Sequence, residues 1–171
     1  MKKILLLVVT ALMSFHVYSQ EQLVKYQGEV VLGYGFGVND IKKNKANLQI
    51  INGVRVGKYF AVGIGVGLDC CGKSYWGFSA FGDLKGYLPI SPKTSLFLSA
   101  DIGSGWGDAN NLGTRNGVIL VPAVGASFKV SPKSAINISF AYSYQDLGRD
   151  KDRGLNKVNY NALGLRIGFQ F

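Results

Sequence analysis

Past residue 24 the chain alternates apolar residues with small or polar ones almost without a break, and this period of two constrains the fold more than any other feature. Successive side chains of a strand point to opposite faces, whereas a helix needs apolar residues every third or fourth position. In Tyr26 to Val38 one face carries Tyr26, Val30, Leu32, Tyr34, Phe36 and Val38, and the other carries Gln27, Glu29, Val31, Gly33, Gly35 and Gly37. The pattern recurs over Leu48 to Val56, Tyr59 to Asp69, Gly77 to Leu88, Ser95 to Trp106, Gly117 to Val130, Ala135 to Gln145 and Val158 to Phe171, which predicts eight strands and almost no helix.

The connections alternate in length. Gly57-Lys58, Pro89 to Thr94 and Ser131 to Ser134 are short, whereas Asn39 to Asn47, Cys70 to Trp76, Gly107 to Asn116 and Asp146 to Lys157 are longer and polar. Two short turns are near copies, Ser91-Pro92-Lys93-Thr94 and Ser131-Pro132-Lys133-Ser134. An even strand count with short turns at one end and long loops at the other is the layout of an outer-membrane barrel. A soluble barrel or sandwich shows the same alternation with its apolar face turned inward, so the composition of the second face decides. That face reads Gly63, Gly65, Gly67 on one strand, Ser79, Asp83, Lys85 on the next and Asn137, Ser139, Ala141, Ser143 on another. A solvated face would use Thr, Lys and Glu, because glycine weakens exposed strands. Inside a narrow barrel glycine instead makes room for long side chains from neighbouring strands. The expected fold is therefore all-β, an eight-stranded antiparallel up-and-down transmembrane β-barrel.

The amino terminus reads as a leader. Lys2 and Lys3 precede the apolar run Ile4 to Met13, and Val17 and Ser19 sit where small residues precede a cut ahead of Gln20. The expected organisation is a signal peptide at 1–19 and one barrel domain at 20–171, exported and lodged in the outer membrane. Cleavage would also remove His16, the one histidine of the chain.

The chain resembles the small outer-membrane β-barrel proteins of the OmpA/OmpX-like, opacity-type class. The resemblance runs over residues 24 to 171 and rests on three segments. These are Ile51-Asn52-Gly53 leading into Gly63-Ile64-Gly65-Val66-Gly67, then Phe81-Gly82-Asp83-Leu84-Lys85-Gly86-Tyr87, and the ending from Leu163 to Phe171. The last is the most specific. Phe171 preceded on the same face by Phe169, Ile167 and Leu165 looks like the signal by which the barrel-assembly machinery recognises its substrates.

The inward parity collects nearly all charged strand residues: Glu29, Asp69, Asp83 and Asp101 with Arg55, Lys85, Lys129 and Arg166. A charge in low dielectric is costly unless paired, so Glu29, Arg55, Asp83, Lys85, Asp101 and Arg166 are expected to form a salt-bridged lumen network in the half near the short turns. Asp69 falls near the long loops and Lys129 at the rim. Glu29 and Arg166 are expected to face one another where the first and last strands meet. The network reads either as a structural plug or as an ion path.

No histidine-based triad can be built once His16 is gone, and Asp83 with Asp101 faces bases that favour salt bridging over acid–base chemistry. The runs Gly33-x-Gly35-x-Gly37 and Gly63-x-Gly65-x-Gly67 lack the dinucleotide spacing. No enzyme, cofactor or metal site is expected. Cys70-Cys71 fits no zinc pattern, and its readings are incidental or disulfide-linked residues with no function, a structural loop clamp, or redox or intermolecular pairing. Lys42, Lys43 and Lys45, and Arg149, Lys151, Arg153 and Lys157, make two long loops basic, which suits either lipopolysaccharide phosphates or plain solvation. A pI near 9.6 alone would fit nucleic acid, but a barrel offers no groove-reading element. The sequence thus points to a structural or surface-interaction barrel set in outer-membrane lipid, with a narrow pore or small-solute conduit as the alternative; its surface partner is not legible.

Overall fold

The computed structural model of the chain describes residues 24–38, 44–70, 75–109, 114–147 and 158–171, and the expected leader at 1–19 lies outside them. Eight strands follow one another: β1 (Val24–Gly37), β2 (Lys45–Val56), β3 (Phe60–Cys70), β4 (Tyr75–Pro89), β5 (Thr94–Ala109), β6 (Thr114–Lys129), β7 (Ala135–Leu147) and β8 (Val158–Gln170). Each pairs antiparallel with its sequence neighbours, and β1 pairs with β8, so the sheet closes into a barrel. Closure abolishes free sheet edges, which is what a hydrocarbon surround demands of a β-structure.

The register fixes how the strands lean. Starting at Gln170, paired positions run through Glu29, Ile51, Gly65, Phe81, Gly103, Ile119 and Gln145 and return to β8 at Tyr160, so one circuit moves the register by ten residues, from 170 to 160. Such a stagger tilts the strands against the barrel axis and sets the width of the interior.

The two faces are the reverse of a soluble protein. Ile64 is 74% exposed, Leu98 and Phe140 67% and Leu32 62%, while Asp101 is 1% exposed and Asp83 2%. Aromatic side chains flank this aliphatic band. Tyr26, Tyr59, Phe60 and Phe171 are exposed toward the short turns, and Tyr34, Phe36, Trp76 and Phe78 toward the long loops. Girdles of this kind sit at the two interfaces of membrane barrels.

The turns follow from local chemistry. Gly57 opens the β2–β3 turn with φ 62°, a left-handed conformation that side chains resist. In the β4–β5 turn the Ser91 hydroxyl accepts from the amides of Lys93 (3.3 Å) and Thr94 (3.0 Å). In the β6–β7 turn the Ser131 hydroxyl accepts from the amide of Lys133 (3.2 Å), so the duplicated motif folds the same way twice.

Toward the long loops the strands outrun the sequence expectation. β2 starts at Lys45 rather than Leu48, Cys70 ends β3 instead of opening a loop, β4 starts at Tyr75, and β5 runs to Ala109. Backbone pairing continues as long as a neighbour supplies partners, whatever the polarity of the side chains. Tyr75 opposite Ala109 is one such pair.

Candidate functional site: the filled lumen

Strand β4 carries one or two residues of each successive level of the interior: Tyr87, then Lys85 and Asp83, then Phe81, then Ser79. Nearest the short turns, the Tyr87 hydroxyl accepts from Gln27 Nε2 (3.1 Å) and donates to Gln170 Oε1 (3.3 Å), and the Arg55 guanidinium lies 3.9 Å over the Tyr87 ring. Arg55 also donates to the Lys58 carbonyl at 3.1 Å. The next level is ionic. Lys85 donates to Glu29 Oε2 and lies 3.4 Å from Asp83 Oδ2; Asn137 Nδ2 donates to Glu29 Oε1 at 2.8 Å. Arg166 Nη1 donates to Asp101 Oδ2 at 2.9 Å. Asp83 and Asp101 stand directly opposite each other on β4 and β5, so each brings its own cation to a point where two like charges meet.

Beside the ions lies an apolar cluster. Val31, Ile51, Phe81 and Ile119, from four different strands, pack into one buried cluster. Large and small residues alternate around the register here: Phe81 faces Gly65 on one side and Gly103 on the other, and a Cβ on either glycine would meet Phe81 itself. Toward the long loops the lumen turns polar again. Lys45 pairs with Asp69 at 2.7 Å and lies 5.5 Å over the Tyr160 ring, with Gln49, Ser79 and Gln145 buried alongside. Two cavities of about 20 and 10 Å³ share Lys45, Asn47, Ser143 and Arg166 in their walls, each with room for about one water molecule. Arg166 Nη2 and Gln49 Oε1, which reach this region, have no protein partner, as has Asp83 Oδ1 below.

No protein-family model matches the sequence, and no curated protein matches it. Solved structures do. Neisserial surface protein A superposes with a TM-score of 0.71 over 86% of this chain and 97% of its own, at 12% identity. The N-terminal β-barrel domain of Pseudomonas aeruginosa OprF gives 0.58 over 88% and 98%, at 14% identity. The fold is that of the small outer-membrane β-barrels. At such identities the likeness is one of backbone path, and the lumen chemistry has to be argued from this chain's own residues.

Within that fold Glu29, Asp83, Lys85, Asp101 and Arg166 come together, while Arg55 stands apart, stacked on Tyr87 rather than ion-paired. The expected Glu29–Arg166 contact is corrected. The β1–β8 register sets Glu29 opposite Gln170 and Arg166 opposite Gly33, four residues along the ladder, or about 13 Å. Each charge therefore reaches across the lumen instead, Glu29 to Lys85 and Arg166 to Asp101. Lys45, placed from sequence in a basic loop suited either to lipopolysaccharide phosphates or to solvation, is a buried lumen residue, and its partnership with Asp69 was missed. Its parity with Asn47 and Gln49 was the available signal. Lys129 is exposed at the end of β6. Lys42, Lys43, Arg149, Lys151, Arg153 and Lys157 lie outside the described residues, as does Cys71; Cys70 is a half-buried thiol at the end of β3. Leu165, Ile167, Phe169 and Phe171 are exposed along the outer face at β8, with the two phenylalanine rings stacked at 6.3 Å. The lumen also holds more apolar packing than its polar parity suggested, including Tyr87 against Phe97 at 5.9 Å. Among the described residues no three His, Cys, Asp or Glu side chains converge as a metal site.

Proposed function

We propose that the chain is an integral outer-membrane protein whose role is structural or one of surface interaction, carried by a sealed barrel rather than an open one. It is a non-enzyme in this reading, held by lipid around the aliphatic band, with the short turns in the periplasm and the long loops outside. The observation that carries the reading is the filled lumen, in which the apolar cluster of Val31, Ile51, Phe81 and Ile119 packs beside charges that are taken by one another, Lys45 with Asp69, Lys85 with Glu29 and Arg166 with Asp101. An eight-stranded lumen is narrow enough for side chains to fill, and here the interior holds cavities of single-water size. The strip Leu165, Ile167, Phe169 and Phe171 is the surface that would meet the assembly machinery.

The test is single-channel recording of the purified protein in planar bilayers, with membrane fractionation and heat-modifiable gel mobility in parallel. A barrel that inserts and stays silent is expected. Steady unitary conductance would replace this reading with the narrow conduit, and recovery as a soluble periplasmic protein would overturn both.

A further inference from the structure

Among the described residues, the charged side chains exposed at the short-turn end of the barrel are all positive. Lys25, Lys58, Lys93, Lys129 and Lys133 are all exposed there, and none of them forms an ion pair among the described residues. The described acidic side chain closest to that end is Glu29, which is buried and taken by Lys85.

Basic residues are set side by side on the ladders there. Lys25 is directly opposite Arg55 in the β1–β2 register, and the Lys129 amide donates to the Lys93 carbonyl at 2.8 Å. Like charges facing across a ladder destabilise it unless something anionic lies between them. The duplicated turns sharpen the point. In each, the serine hydroxyl caps the lysine amide, so Lys93 and Lys133 are presented at the tips of two neighbouring turns of the same conformation. An exposed aliphatic residue immediately precedes each motif, Ile90 at 59% and Val130 at 56%. An apolar residue and a lysine side by side suit the boundary between acyl chains and phosphates, where a lysine stem lies in the apolar layer and its ammonium reaches the head groups. A soluble acidic polymer would give no reason for the aliphatic half of that pattern.

From this juxtaposition we propose that the short-turn rim is a binding surface for anionic phospholipid head groups of the leaflet it meets, with the two Ser-Pro-Lys turns as paired phosphate contacts and Lys25 with Lys58 as a second contact. The inference rests on the membrane reading above. It predicts a shell of negatively charged lipid at that end of the barrel.

The experiment uses the full mature chain refolded in phosphatidylcholine vesicles containing a minority of phosphatidylglycerol. Spin-labelled forms of the two lipids report their relative association with the protein. The wild type should favour phosphatidylglycerol, and high salt should remove the preference. Lys93→Gln/Lys133→Gln should lower it by up to about fivefold per lysine, and Lys93→Arg/Lys133→Arg should retain it. These side chains are exposed, so heat-modifiable mobility of the variants should match the wild type. Equal association of both lipids with a properly inserted wild type would overturn the inference while leaving the membrane reading intact. Undiminished preference in the glutamine variant would also overturn it, as would lost sedimentation with an acidic cell-wall polymer in place of lost lipid preference. A wild type that fails to insert would refute the membrane reading and this inference with it.

Discussion

Replacing Lys85 should damage the barrel more than replacing either carboxylate it serves. Lys85 bridges Glu29 and Asp83, and all three side chains are at most 5% exposed. Lys85→Met therefore strands two buried carboxylates at once, and breaking a buried pair in this way typically costs about 3 to 5 kcal/mol. Glu29→Gln is milder, because Lys85 keeps Asp83 at 3.4 Å and the new amide still accepts from Asn137, so a loss at or below the lower end of that range is expected. The pairing itself is tested by double-mutant cycles on equilibrium unfolding in lipid vesicles, followed through Trp76 and Trp106 fluorescence. Glu29→Gln with Lys85→Met should couple by about 0.5 to 3 kcal/mol, whereas Glu29→Gln with Arg166→Met should be additive within about 0.5 kcal/mol. Two results would refute the reasoning: Lys85→Met proving cheaper than Glu29→Gln, or coupling between Glu29 and Arg166 equal to that between Glu29 and Lys85.

Ile64→Lys places a charge on the most exposed aliphatic position of the outer face and should cost about 2 to 4 kcal/mol in vesicle unfolding if it lies near the bilayer midplane. Gly103→Ala should be destabilising, because its Cβ would run into the β4 backbone at Ala80 and Phe81; Gly86→Ala, with nothing nearby, should be neutral or gain about 0.4 to 1 kcal/mol in the same assay. Phe81→Ala should lose about 3 to 5 kcal/mol and, by emptying the centre of the apolar cluster, introduce brief conductance events in bilayers where the wild type is silent.

The strands and their facing were legible because one face must meet hydrocarbon, and that requirement is written into every second residue from Tyr26 onward. What failed was height. Parity says that Glu29, Asp101 and Arg166 point inward but not which of them meet, since a stagger of ten residues shifts each strand against its neighbours by amounts that no local pattern records. Lys45 was lost for a related reason. A polar residue on the lumen side of a strand and a polar residue of a loop look alike until a partner such as Asp69 is known. The apolar cluster was half legible: Val31 stood on the inward face from the outset, but the room for Phe81 to join it depends on glycines two strands apart.

The meeting of β1 and β8 sets the order in which the molecule can be made. Seven of the strand pairings join neighbours through a single turn or loop, while the eighth must bring Glu29 to Gln170 and is completed by a reciprocal pair of backbone hydrogen bonds between Gly28 and Phe171 at 2.8 and 2.9 Å. Local hairpins form quickly and a contact spanning nearly the whole chain forms slowly, so the nascent sheet must exist for a time as an open, curling ribbon. During that interval Glu29 and Arg166 lie beside an unsealed edge, and the interior stays wet. Sealing the seam and drying the ion pairs are therefore one event, and a variant that weakens the seam should accumulate as an open, water-exposed sheet rather than as a leaky barrel.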